Sequence, residues 1–335
     1  MTGNYHEDDK YEHYEKQFIS SLEGKALYRR EVRASRKKRK TREQIISEVA
    51  DKRGLEAGFN PTYRPSKHEA GWLLQSLQEF YDQAFITDVV ALVKGGKEAN
   101  VYRCQAHPST GEEFVVAKVY RPRMFRSLRN DAIYRQGRHH LESDGVEVRA
   151  RDQRIIRAMK KKTDFGIRVA HTSWLMYEYT TLQRLFEVKA STPQPFATGS
   201  NAILMGYVGG RQISAPTLNT VNLDYVEAQK LFQEVLHNVE LMLSMNMVHG
   251  DLSAYNILYW EGKITIIDFP QVVGSHNNSS ARFIFKRDVT RTCEYFAKQG
   301  VTSNPEKITD ALWERHVGIA PQYNRILLQG EEDYD

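Results

Sequence analysis

The sequence predicts an α+β fold in two lobes, a strand-rich first half and a helical second half. Three observations predict it. Three short β runs, Thr87–Val93, Val101–Cys104 and Phe114–Val119, follow one another across Gly-Gly and Pro-Ser-Thr-Gly turns. A long amphipathic stretch occupies residues 224–247. Two further β runs, Ile257–Tyr259 and Ile264–Ile267, are joined by a Glu-Gly-Lys turn and read as a hairpin. Strands followed by helices, rather than strands alternating with them, is an α+β order.

The elements follow in chain order. Residues 1–60 read as a charged helical extension ending near Gly58-Phe59-Asn60-Pro61. From Trp72 to Phe85 the apolar positions 72, 73, 77, 80, 81 and 85 repeat at helical spacing. After the three strands comes an Arg-rich segment, 121–138, and then a helix near 147–162. Short β runs are expected at Trp174–Tyr179 and Ala202–Val208, with 180–200, holding two prolines and several Ser and Thr, as an exposed insertion. In the helix of 224–247, Asp224 and Glu227 resemble a capping box, and Val226, Phe232, Val235, Leu236, Val239 and Leu243 make one apolar face. This gives an extension over 1–60, a first lobe with its preceding helix over 61–205, a second lobe over 206–310 and a tail over 311–335.

Composition limits the function. With 335 residues, 41% of them hydrophobic and 11% aromatic, the chain can bury a core, so disordered and fibrous classes are excluded. No apolar run reaches the roughly 18–20 residues of a membrane span. The start, MTGNYHEDDK, is polar and acidic, unlike a secretory signal. Two distant cysteines, Cys104 and Cys293, suit a reducing compartment, and the expectation is a cytoplasmic protein with no membrane partner. Charge is uneven. Residues 1–24 hold six acids against two lysines, residues 25–53 hold twelve bases against four acids, and the closing EEDYD adds four acids. The basic block, centred on Arg36–Arg42, is a polyanion contact with nucleic acid as the candidate partner, a nuclear address or a solvated helix face. Arg149–Lys162, with seven bases and one acid, is a second basic stretch.

The strongest motif is Val248-His249-Gly250-Asp251-Leu252-Ser253-Ala254-Tyr255-Asn256, with Ile266-Ile267-Asp268-Phe269 twelve residues after the Asn. Phosphoryl transfer needs a carboxylate to orient or deprotonate the acceptor hydroxyl, and oxygen ligands that hold Mg2+ against the phosphates. A His-x-Asp-x-x-x-x-Asn loop supplies the base, Asp251, and one ligand, Asn256; an Asp at the far end of a hairpin, Asp268, supplies the second. Upstream, Lys94-Gly95-Gly96-Lys97-Glu98-Ala99-Asn100-Val101 is a glycine turn between strands whose N–H groups could cover phosphates. Val115-Val116-Ala117-Lys118 puts a lysine on the next strand, within reach of the α- and β-phosphates. Each alone is a common feature; their order raises both.

These motifs resemble the RIO kinases, an atypical branch of the protein-kinase-like fold. The matching segments are GKEANVY (96–102), VVAKVY (115–120), HGDLSAYN (249–256), IIDFPQ (266–271) and a closing segment from Ser275-His276 to Arg287-Asp288-Val289. The resemblance covers about residues 85–300. It implies a reduced, RIO-type two-lobed kinase fold that uses ATP and Mg2+, with Mn2+ as a substitute. It makes Asp251 the catalytic base, gives Asn256 and Asp268 the metal, and assigns the nucleotide to Gly96, Lys97, Glu98, Val101 and Lys118. Met205 becomes the gatekeeper, with Gly206 and Val208 offering hinge backbone to adenine. It further implies that Asp268 can accept phosphate in an ATPase cycle. Only 67 residues follow Asp268 and none of them spells Ala-Pro-Glu, so docking of a generic peptide is not expected.

Departures and decoys accompany the match. Asp164-Phe165-Gly166 spells the usual kinase metal motif but lies upstream of the catalytic loop, and reads as a turn leaving a helix. Its counterpart is Asp268-Phe269-Pro270, where proline removes an N–H and fixes φ. The acid facing Lys118 is expected to be Asp152 or Glu147. His139-His140 reads as a solvated loop. Two functions follow: a serine/threonine kinase whose protein substrate is unknown and includes itself, or an RNA- or ribosome-bound assembly factor timed by ATP hydrolysis through Asp268.

Overall fold

The computed structural model describes residues 59, 61–96, 98–120, 136, 141, 152–161 and 163–318, all within the compact unit Val49–Asp335. The acidic and basic extension with Arg36–Arg42, Lys97, Glu147, His139-His140 and the last residues of the tail lie outside them.

The first lobe is built on a five-stranded antiparallel sheet. Its strands are β1 (Ile86–Gly95), β2 (Ala99–Ala106), β3 (Phe114–Tyr120), β4 (Pro195–Thr198) and β5 (Ala202–Gly206), in the order β1-β2-β3-β5-β4. Along β2 the side chains alternate between half-buried and buried, as the two-residue period of a strand requires. Helix α1 (Lys67–Asp82) lays Trp72, Leu73, Leu74, Leu77 and Phe80 on the buried positions of β1, β2 and β3, among them Ile86, Val89, Tyr102, Cys104, Val115 and Ala117. Burying such a face removes each large side chain from water for about 1.5–3 kcal/mol.

Among the described residues the next helices after β3 are α2 (Gln153–Lys160) and α3 (Asp164–Glu187). Here three expectations are corrected. The run Trp174–Tyr179 is not a strand but the middle of α3, where Leu175, Met176, Tyr179, Leu182 and Leu185 are buried at helical spacing. An aromatic-rich run of six residues satisfies either period, and only the longer pattern decides. Residues 180–200 are not an exposed insertion. They finish α3 and supply the edge strand β4, and the Ser191 N–H donates to Asn238 Oδ1 at 2.6 Å. Asp164-Phe165-Gly166 does not leave a helix but starts α3. Thr163 caps it by accepting from the Gly166 N–H at 3.1 Å, and a Cβ on Gly166 would lie 2.1 Å from the Ala158 carbonyl oxygen, so glycine lets α2 and α3 meet.

The second lobe is centred on α4 (Tyr225–Ser244), with the hairpin β6 (Ile257–Trp260) and β7 (Lys263–Ile266), then α5 (Ala281–Lys298) and α6 (Pro305–His316). Asp224 caps α4 by accepting from the Glu227 N–H at 2.9 Å. The Glu227 carboxylate does not complete a box but takes the Tyr259 hydroxyl at 2.5 Å, tying α4 to the hairpin. Leu231, Val235, Val239 and Leu243 of α4 pack with Ile257, Ile264, Phe269, Ile284, Phe285 and Phe296. Cys104 and Cys293 are both buried free thiols. Among the described residues no helix is long and apolar enough to cross a membrane.

Candidate active site

Lys118 sits on β3, directly across from Val101 of β2 and Ile203 of β5. Two residues on, Tyr120 emerges on the same side of the strand. Both side chains meet α3. The Lys118 ammonium donates to Glu178 Oε1 at 2.6 Å, and the Tyr120 hydroxyl donates to Glu178 Oε2. Glu178 is thus the acidic partner of Lys118, correcting the expectation of Asp152 or Glu147. Asp152 stands at the N-cap of α2 and Glu147 lies outside the described residues. The same ammonium reaches Asp268 Oδ1 at 2.5 Å, so a single cation joins the sheet, α3 and the loop after β7. Burial works against its charge, but the Asp268 and Glu178 carboxylates more than offset this and hold the lysine pKa well above its ordinary value.

Asp268 follows β7 at φ +73°, left-handed backbone that Asp and Asn adopt more readily than other side chains. Burial would raise its pKa, but the Lys118 charge outweighs that and lowers it, with a further contribution from Lys94 of the glycine turn. The strand lysine and the hairpin end are thus in direct contact.

The loop carrying Asp251 is fastened from three directions. His249 accepts the Asp251 N–H on Nδ1 and donates from Nε2 to the Ile267 carbonyl, both at 3.2 Å, which fixes the ring as the Nε2–H tautomer and ties the loop to the residue before Asp268. Asn256 donates from Nδ2 to the Asp251 carbonyl at 2.8 Å and to its Oδ2 at 3.2 Å. From α5, Asp288 accepts the Gly250 N–H at 2.8 Å, Arg287 donates to the Gly250 carbonyl, and Arg291 donates to Asp251 Oδ1 at 3.0 Å. Gly250 holds φ +86°, with the Gln271 carbonyl oxygen 2.2 Å from where a Cβ would be, so only glycine makes this turn. Burial raises the Asp251 pKa, and Arg291 and Arg287 work against the rise.

Lys118, Asp251, Asn256 and Asp268 therefore come together as the sequence suggested. The signals it missed are Glu178, hidden in a run read as a strand, and Arg291, which no local spacing connects to Asp251. Gly96 gives its N–H to Asn100 Oδ1 at 3.3 Å, Glu98 is half-buried in the turn, and Lys97 lies outside the described residues. Met205 closes β5 between the α3 cluster and the second-lobe core. Beyond it, the Gly206 N–H donates to the Gln194 carbonyl at 2.8 Å and the Val208 carbonyl accepts from the Ala215 N–H at 3.0 Å.

The side-chain oxygens of Asn256 and Asp268 are hard donors of the kind Mg2+ takes, which binds one or two carboxylates and leaves the remainder to phosphates and water. Among the described residues no group of three or more His, Cys, Asp and Glu that could hold a metal ion occurs.

A two-lobed fold whose strand lysine is paired to a helix glutamate, facing an Asp-Asn loop and a hairpin aspartate, defines a protein-kinase-like molecule. The RIO domain family model matches residues 100–308, and the chain belongs to the RIO family. It is 31% identical over 137 residues to the RIO-type serine/threonine-protein kinase Rio1 of Thermoplasma acidophilum, covering 41% of this chain and 70% of that one. It is 33% identical over 152 residues to Rio2 of Methanocaldococcus jannaschii, 43% of this chain and 56% of that one. With human serine/threonine-protein kinase RIO1 it shares 25% over 257 residues, 76% of this chain and 40% of the human protein. The crystal structure of the Rio2 kinase-ADP/Mg2+-phosphoaspartate complex from Chaetomium thermophilum aligns with a TM-score of 0.52 at 18% identity, over 82% of this chain and 75% of that one, a likeness of fold.

Proposed function

We propose that this chain is an ATP-dependent serine/threonine protein kinase of the RIO type. The observation that carries the reading is the Lys118 ammonium held between Glu178 and Asp268, opposite an Asp251 whose two carboxylate oxygens are bonded by Arg291 and Asn256. Lys118, kept charged by its two carboxylates, grips the α- and β-phosphates of ATP. The glycine turn from Gly96 to Val101, with Lys97 and Glu98, covers them. Met205 backs the base, and the Gly206 carbonyl and Val208 N–H meet the adenine edge, since the Gly206 N–H and Val208 carbonyl are bonded within the hinge. Asp251 orients the acceptor hydroxyl and takes its proton as that oxygen bonds the γ-phosphorus and the bond from the γ-phosphorus to the β-phosphate oxygen breaks, so that ADP leaves. Asn256 and Asp268 would hold Mg2+, or Mn2+ in its place, which when bound neutralises charge on the phosphates.

On this reading residues 61–205 and 206–310 are the two lobes, and 1–60 and 311–335 are flanks, of which 1–60 supplies Ser and Thr for autophosphorylation. The run Arg36–Arg42 supports contact with RNA or a ribosomal particle by charge alone. Work in the cytoplasm suits two buried thiols. The test is turnover of labelled ATP, following phosphate fixed on Ser or Thr separately from free phosphate. Label on Ser or Thr that disappears in Asp251→Ala is expected. Free phosphate with only a hydroxylamine-labile adduct, lost in Asp268→Asn, would replace the kinase by an ATPase switch.

A further inference from the structure

Glu69 lies in the first turn of α1, ahead of the residues matched by the RIO domain, and its carboxylate gathers bonds from the sheet. It accepts the hydroxyl of Tyr102, and Asn100 Nδ2 approaches its Oε1 at 3.4 Å. Asn100 Nδ2 also donates to the Tyr102 hydroxyl oxygen at 2.9 Å, and Asn100 Oδ1 accepts the N–H of Gly96 at 3.3 Å. Tyr102 is fully buried and Asn100 is 5% exposed. Spaced two apart on β2, both face α1.

The bonds run in one sense. The Gly96 N–H points to the Asn100 carbonyl oxygen, the Asn100 amide to the phenol, and the phenol to the carboxylate. Burial and the Glu69 carboxylate both raise the Tyr102 pKa, so the phenol remains the donor that this sense requires. Apolar packing contributes little here: the last four residues of β1, Leu92 to Gly95, are exposed, and β1 is an edge of the sheet. The β1–β2 ladder carries the turn as far as the pairs Lys94–Val101 and Gly95–Asn100, and the Gly96 N–H beyond it is held by this polar chain.

We propose that Glu69, Tyr102 and Asn100 are positioning residues for the nucleotide phosphates, setting the glycine turn from α1 through the Gly96 N–H. The proposal rests on the nucleotide-binding reading of that turn. It predicts that the chain's affinity for the phosphates, not for the base, depends on a helix that precedes the residues matched by the family model.

The experiment titrates the full chain with ATP and, separately, with adenosine. Tyr102→Phe removes one oxygen and leaves the ring. The expected result is ATP affinity weakened about tenfold, the equivalent of one buried hydrogen bond, with adenosine affinity within twofold of the parent and KM for ATP rising far more than kcat falls. The control is Tyr63→Phe, whose hydroxyl also approaches Glu69 at 3.4 Å but is no part of the chain to Gly96, and which should bind ATP as the parent does. Equal loss of ATP and adenosine affinity, equal effects of the two variants, or unchanged ATP affinity in Tyr102→Phe would each overturn the positioning role. A parent chain that binds no ATP would overturn the nucleotide reading itself, and the positioning role with it.

Discussion

Replacing Glu178 by Gln tests the structural correction at the site. The side chain is 3% exposed and Lys118 is 13% exposed, so their 2.6 Å contact is little screened by solvent. Removing one partner of a buried ion pair outright costs about 3–5 kcal/mol. Here the loss is smaller, for two reasons visible in the structure. Lys118 keeps Asp268 as a second partner, and the glutamine amide can still accept from the ammonium while the Tyr120 hydroxyl turns to accept from the amide. What disappears is the charge assistance of one hydrogen bond, worth about 1.5–3 kcal/mol. Lys118 then leans on Asp268 and is drawn from the phosphates. The expected outcome is kcat/KM for ATP lowered roughly 10- to 150-fold, read by steady-state turnover, while the thermal midpoint stays within a few degrees. Asp152→Asn serves as the parallel variant and should behave as the parent. A Glu178→Gln enzyme within twofold of the parent, or an Asp152→Asn enzyme equally damaged, would refute the pairing.

Four further outcomes are expected. Asp268→Asn should fold normally, because asparagine accepts φ +73° as aspartate does, yet lose turnover; a collapsed thermal midpoint would contradict this. On the proposed mechanism Asp251 acts as the carboxylate, and burial raises its pKa above 3.8, so turnover should fall on the acid side at a pH above that value. Arg291 lowers that pKa, so Arg291→Gln should move the acid limb to higher pH, and coincident profiles would count against the contact. Gly250→Ala forces a Cβ onto the Gln271 carbonyl at positive φ; scanning calorimetry should show destabilisation of at least about 2 kcal/mol, roughly 5 °C or more.

Much of the second lobe was legible because its signals are local. The apolar face of α4 repeats over five turns, Asp224 stands where a cap belongs, and the Glu-Gly-Lys turn joins two short β runs in register. The three early strands were legible by alternation, and Lys118, Asp251, Asn256 and Asp268 by motif order. What was not legible depends on contacts between distant segments. Trp174–Tyr179 carries aromatic residues that suit a strand, and its helical period appears only when Leu182 and Leu185 are counted with it. Read as a strand, that run excludes Glu178 as the helix acid and leaves Asp152 and Glu147. Arg291 lies 40 residues beyond Asp251, and only the docking of α5 under the loop makes it a neighbour. The β4 strand begins with a proline, which fits an edge position and reads in sequence as a breaker.

The most direct test of the account compares ATP binding and single-turnover phosphoryl transfer in the parent and in Asp251→Asn. The amide keeps the shape of the carboxylate but cannot take a proton, and loss of a general base costs about 100- to 10,000-fold. The account predicts transfer slowed by that factor with ATP affinity within a few-fold of the parent. Transfer at the parental rate in the Asp251→Asn chain would contradict it.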